Sequence, residues 1–151
     1  VAVVTTFTIL MIFINMDTNK KGNIGLVKVL DNLVENGYFC FLPITDTTIV
    51  DLVVSNEDMK LKKFQVKYKK LEKKSTCICL SSQRVVDRKK VNTDLSLIDY
   101  FAVYCPDNKK IYYIPTTLFN GKKMITLRVI PAIQKQKNII DASKFEILSN
   151  W

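Results

Sequence analysis

One amphipathic helix followed by a train of short β-rich runs most limits the folds open to this chain. Over residues 22–36, Leu26, Val27, Leu30, Leu33 and Val34 recur at the spacing that builds one apolar stripe, and Gly37 follows as a stop. After Gly37 the pattern changes to that of strands. Residues 38–42 end at Pro43, residues 49–54 are β-branched, a turn over 55–60 leads into the alternating run 61–69, and residues 76–80 follow. These runs predict a meander packed on the helix. Residues 81–95 are polar, basic and without period, which predicts a loop. Residues 98–105 and 110–114, joined by Pro106-Asp107-Asn108, predict a hairpin, and residues 124–130 predict a strand stopped by Pro131.

A chain of 151 residues carries one core, so a single domain is expected. The charge is unevenly placed. Between Lys60 and Lys90 stand twelve basic side chains against Glu72 and Asp87, whereas the rest of the chain holds eleven bases and twelve acids. A cationic stretch of this kind attracts polyanions through counterion release, and nucleic acid is the partner it fits. No histidine occurs. Catalytic triads, HExxH metal sites and deaminase centres that depend on imidazole are therefore excluded.

Residues 1–14 hold eleven apolar side chains and three Thr without a basic residue. The run is too short to span a bilayer, which takes ~20 apolar residues, and lacks the charge that opens a secretory signal. It reads as an apolar extension over residues 1–15, peripheral to a domain over 16–151, or as a buried element at a subunit interface. No membrane role is expected. Cys40, Cys77, Cys79 and Cys105 lie in strand-like runs and lack both disulfide-framework and zinc-knuckle spacing. They read as reduced thiols of an intracellular, cytoplasmic protein.

The chemistry concentrates on Asp51 and on Gln65-Val66-Lys67. Alternation puts Gln65 and Lys67 on one face of their strand, with Phe64, Val66 and Tyr68 on the other. A short turn brings Asp51 beside them, so that a carboxylate, an amide oxygen and an ammonium can converge. Metal-assisted phosphodiester hydrolysis needs such a set: anionic and neutral oxygen ligands, and a cation near the attacking water. On spacing alone, a plain cross-strand ion pair fits equally.

Gly22-Asn23-Ile24-Gly25, Gly37-Tyr38, Pro43, Asp51-Leu52-Val53-Val54, Gln65-Val66-Lys67 and Asp99-Tyr100-Phe101-Ala102-Val103-Tyr104 follow one another in an order that resembles the PD-(D/E)xK nuclease superfamily. More narrowly, the run is similar to the branch of cyanobacterial homing endonucleases encoded in group I introns. The resemblance implies an α/β fold with a restriction-endonuclease-like core, a mixed β-sheet flanked by helices. It implies site-specific cleavage of double-stranded DNA with Mg²⁺ or another divalent cation. Asp51 and Gln65 would bind the metal, joined by the Val66 carbonyl, and Lys67 would be the motif lysine. Relatives carry Glu at the position of Leu26, so the resemblance leaves two outcomes, a working endonuclease and one inactivated by Leu26.

A nuclease also needs a DNA track. Lys69, Lys70, Lys73, Arg84, Arg88, Lys89 and Lys90 lie beyond the proposed site, and Gln134, Lys135 and Lys137 form a second stretch free of acids. Cutting both strands implies at least a homodimer, and relatives make homotetramers; the leader, Phe119 or residues 147–151 would supply apolar contact surface. Two rival readings remain. A Holliday-junction resolvase would prefer four-way junctions, and a non-catalytic DNA-binding protein on the same fold would bind without cutting.

Overall fold

The computed structural model describes residues 17–45, 48–72, 74, 76–131 and 140–148. The leader, Lys73, Gln134, Lys135 and Lys137 lie outside the described residues. The helix, α1, spans Thr18–Glu35. Three strands follow, β1 (Phe39–Phe41), β2 (Leu52–Ser55) and β3 (Leu61–Tyr68). Then come β4 (Cys77–Ser81), β5 (Gln83–Val86), β6 (Lys89–Asn92), β7 (Tyr100–Cys105) and β8 (Lys110–Pro115). The chain closes with β9 (Met124–Arg128) and the short β10 (Ile140–Asp141).

The central sheet has five strands in the order β1-β2-β3-β7-β8. It is mixed: β3 pairs parallel with β7, and every other pairing in it is antiparallel. A parallel pairing requires a long crossover. Here the crossover carries β4 and the β5–β6 hairpin, and β4 joins β9 and β10 in a second sheet. The expected meander therefore stops at β3. A run with the right alternation does not name its partner strand, and β4 finds its partner in β9, from Cys77 opposite Arg128 to Ser81 opposite Met124.

Alternation along the central strands feeds two cores. Phe64, Ala102 and Tyr113 point to one face and pack with Val29 and Leu33 of α1. Phe101, Val103, Tyr112 and Ile114 point to the other and pack with Ile78, Leu80, Ile125 and Leu127 of the second sheet. The order of layers is thus helix, mixed sheet, small sheet. Among the described residues one α-helix covers the sheet, where the resemblance implied several. Phe119 is fully buried and belongs to the second core, so it offers no surface for subunit contact. No helix among the described residues is long and apolar enough to cross a membrane.

The buried line of α1 is Gly25, Val29 and Leu33. Val27 and Val34, expected on the apolar stripe, are 62% and 60% exposed. The stripe is rotated because Gly25 marks the closest approach to the sheet, a contact that counting apolar side chains does not register. A Cβ placed on Gly25 would lie 3.5 Å from Tyr68 Cβ and 3.6 Å from Val66 Cγ1, both in β3. At the other end of the helix, Gly37 has a φ of +82°. Its N–H donates to the Val34 carbonyl and the Tyr38 N–H to the Leu33 carbonyl, both at 3.0 Å, a left-handed stop of the kind glycine favours.

The contacts around Gly25 leave room for one methyl group and no more. Gly25→Ala is expected to raise stability by about 1 kcal/mol through helix propensity. Gly25→Leu is expected to lower it by about 1–3 kcal/mol through overpacking against β3. Urea midpoints at an unchanged m-value check both directions.

Candidate active site

Asp51 does not lie on β2, as its β-branched surroundings suggested, but immediately before it. Its backbone N–H donates to the carbonyl of Phe64 at 2.9 Å, the residue already opposite Leu52, so the regular register stops here. Beyond that point β2 has no residue left to pair with β3. The Val66 N–H donates instead to Asp51 Oδ2 at 2.7 Å. The side chain takes the place of a strand, and a charged acceptor makes this a strong hydrogen bond. The carboxylate is thereby fixed at the end of the β2–β3 ladder, one peptide from Gln65.

Two other aspartates pin the sheet in the same manner. Asp99 Oδ2 accepts from the Lys63 N–H at 2.8 Å and Asp107 Oδ2 from the Leu71 N–H at 2.7 Å. Both act on backbone outside the site, so the use of Asp51 as a backbone acceptor is not in itself a catalytic signature.

What sets Asp51 apart is the cleft it faces. A depression of about 650 Å³ lies between the first turns of α1 and the end of β2, lined by Asn19, Asn23, Leu26, Thr48, Asp51 and Val66 among others. Leu26 is half-buried on its wall, so helix and strand meet across this space as the sequence suggested. Among the described residues lining it, Asp51 is the only carboxylate. No group of three or more Asp, Glu, Cys or His side chains is gathered anywhere among the described residues.

Gln65 and Lys67 do not line the cleft. They project to the far face of β3, as alternation requires, opposite Phe101 and Val103 in the register. Gln65 is 6% exposed, and its Oε1 has no hydrogen-bond partner among the described residues. A buried amide oxygen left so costs about 1–3 kcal/mol. Lys67 Nζ stands 5.9 Å from the centroid of the Phe101 ring, within cation–π range. Burial pulls the Lys67 ammonium below its ordinary value, the Asp51 charge offsets part of this, and Lys69 and Arg84 lower it further. Asp51 and Lys67 therefore lie within one electrostatic neighbourhood, reached from the two sides of the strand end.

Of the cationic track, Lys70, Arg84, Arg88, Lys89 and Lys90 are exposed and Lys69 is half-buried. The last four of the exposed group are not in a loop. Residues 81–95, expected to be irregular, contain the β5–β6 hairpin, with Arg84 opposite Val91 and Val86 opposite Lys89. The signal for it is Val85-Val86 and Val91 flanking a two-residue turn, obscured because the turn residues are Asp87 and Arg88 rather than glycine or asparagine. Phe101, which underlies Lys67, and the cleft residue Asn23 enter the sequence reading only as members of the resembling motifs, without a role, and the cleft residue Thr48 is given none. Their roles arise from tertiary contact alone.

The comparisons agree with this architecture. No curated protein matches the chain significantly. A solved structure described as that of a bacterial homing endonuclease, I-Ssp6803I, superposes with a TM-score of 0.69 at 17% identity, over 86% of this chain and 88% of that one. At that identity the likeness establishes the fold. A profile described as PD-(D/E)XK endonuclease matches residues 16–148, and a match over that much of the chain, on a mixed sheet with Asp51 at the end of β2 and Gln65 and Lys67 on β3, places this protein in the PD-(D/E)XK endonuclease family.

Proposed function

We propose that the chain is a divalent-metal-dependent endonuclease that cuts double-stranded DNA at a specific site, of the homing type encoded in group I introns, with activity weakened by Leu26. The observation that carries the reading is the buried, unpartnered Gln65 Oε1, on the residue next to the peptide that holds the Asp51 carboxylate. A neutral oxygen kept from water at a desolvation cost suits a hard cation better than it suits a core. Asp51 and the Val66 carbonyl would hold Mg²⁺ or another divalent ion at the strand end, and the Gln65 amide oxygen would have to reach the same ion round that end from the far face of β3. A bound ion supplies polarisation of the phosphodiester and a hydroxide nucleophile near neutral pH.

The remaining work falls to the chain itself. Asp51 brings the negative charge, and its bond from the Val66 N–H orients it. Lys67, partly desolvated over Phe101, offers its ammonium to the charge that develops on the phosphate, where low dielectric strengthens the attraction. Lys69, Lys70, Arg84, Arg88, Lys89 and Lys90 would position DNA. Lys73, Gln134, Lys135 and Lys137 join them on their basic and amide character. Cleavage of both strands requires two copies, so a homodimer or homotetramer is part of the proposal. Among the described residues no disulfide joins Cys40, Cys77, Cys79 or Cys105, which suits a cytoplasmic setting. The similar structure's description as a homing endonuclease supports the choice within the family.

One observation favours a second reading, binding of DNA without cleavage. Leu26 faces Asp51 across the cleft where a second carboxylate would complete the metal cage. Cleavage of supercoiled plasmid carrying a selected target distinguishes the two. In Mg²⁺, Leu26→Glu is expected to increase the rate at least about tenfold. Adding Asp51→Asn or Lys67→Ala to that variant is expected to lower it about 100- to 1,000-fold. An unchanged rate in Leu26→Glu would leave binding alone.

Gln65 gives an independent test in the absence of DNA. Gln65→Leu removes the unsatisfied oxygen and is expected to raise the stability of the metal-free protein by about 1 kcal/mol. The same change is expected to abolish any rise in Tm on adding Mg²⁺. Thermal melts with Mg²⁺ and with EDTA read both effects.

A further inference from the structure

The β5–β6 hairpin stands apart from the rest of the fold. Among the described residues its strands pair only with each other, and every residue from Arg84 to Asn92 is exposed. A two-stranded ribbon is marginal by itself, so its shape must be imposed from its base. The Ser82 N–H and Oγ both donate to the Lys123 carbonyl, at 3.0 and 3.2 Å. The Thr93 N–H donates to the Ser82 carbonyl at 2.9 Å, and the Gln83 N–H to Ser81 Oγ at 3.0 Å. Across the strands, Gln83 Nε2 donates to Asn92 Oδ1 at 2.9 Å. At the tip, Asp87 and Arg88 have φ values of 48° and 63°, the paired positive angles of a turn that follows the natural strand twist.

The register sorts the side chains. One face carries Arg84 with Val91 and Val86 with Lys89; the other carries Gln83 with Asn92 and Val85 with Lys90. Val86 and Val91 are 39% and 40% exposed, and Val85 is 69% exposed. The ribbon springs from the end of β4, whose Ile78 and Leu80 pack with Phe101 and Val103 on the face of the central sheet that carries Lys67, so its root lies on the side of the candidate active site. Four cations accompany one carboxylate along the ribbon, which opposes pairing of its open edges with the same edges of a second copy.

Building on the endonuclease reading, we propose that the β5–β6 ribbon enters the DNA major groove next to the cut, with Arg84 reading a base edge on the face it shares with Val86, Lys89 and Val91. The major groove is about 12 Å wide and 8.5 Å deep and admits a two-stranded ribbon. Two strands about 4.8 Å apart leave room for side chains on either side, and four residues reach about 13 Å. A ribbon that only gripped phosphates would need cations and no exposed valines. Val86 and Val91 suit thymine methyl groups, and the Arg84 guanidinium suits the paired acceptors of guanine. Arg88 at the tip and Lys90 on the opposite face then lie against the phosphate walls.

The test uses the full chain in EDTA, so that no cleavage is needed. Duplexes are selected from a randomised pool by the parent protein, by Arg84→Lys and by Arg84→Ala, and the bound fractions are sequenced. Arg84→Lys keeps the charge and loses the planar fork. It is expected to lose preference about 5- to 100-fold at one or two adjacent positions, with the rest of the consensus retained and Tm unchanged. The proposal is overturned if Arg84→Lys selects the parent's consensus while Arg84→Ala only weakens binding evenly, which is the behaviour of a phosphate contact. A parent protein that selects no consensus at all overturns it as well. Catalysis is measured separately on plasmid, so failure of the ribbon and failure of the endonuclease reading are distinct results.

Discussion

The hydrogen bond from the Val66 N–H to the Asp51 carboxylate is the constraint on which the site depends. β2 ends one residue too soon to satisfy β3, and a side chain completes the ladder. The consequence is positional. A carboxylate that would otherwise swing in solvent is fixed at the strand end, between the cleft walled by α1 and the face that carries Gln65 and Lys67. The close approach of α1 at Gly25 holds the helix against β3 beside that cleft. The parallel pairing of β3 with β7 sets what lies beneath Lys67.

The two faces of β3 meet different surroundings for a simple reason. Phe64 and Ala102 turn towards α1, and Phe101 and Val103 towards the small sheet. Gln65 and Lys67 share the second direction, which places an amide and an ammonium in an apolar environment. Neither gains from burial as a core residue. Gln65 Oε1 has no partner among the described residues, and Lys67 is held below its usual affinity for a proton. Polar groups kept at such a cost are a common mark of sites where chemistry, rather than stability, decides the residue.

Local pattern alone makes the helix, the hairpin of β7 and β8, and the order α1, β1, β2, β3 legible in the sequence. Each rests on a period of side chains or on a stop such as Gly37, Pro43 or Pro131. Three features are not legible there. Gly25 has no side chain to count, so the apolar stripe puts the contact line of α1 one position away. β4 carries the alternation of a meander strand yet pairs with β9, because a period defines a face and not a neighbour. The β5–β6 ribbon is exposed on both faces and so lacks the alternation by which strands are recognised. At the site, Asp51, Gln65 and Lys67 stand out through resemblance to a nuclease family. Their separation onto a cleft side and a far side is a property of the assembled sheet.

In the proposed reading, Asp51 and Gln65 together form a place for a divalent cation at the end of β2. Titration of ¹⁵N-labelled protein with Mn²⁺ tests it most directly, since a paramagnetic ion broadens the amide signals nearest to it. The Val66 amide, with that of Asp51 beside it, should broaden first, and Asp51→Asn should remove the effect. Broadening that spares Val66, or that persists unchanged in Asp51→Asn, would contradict the account.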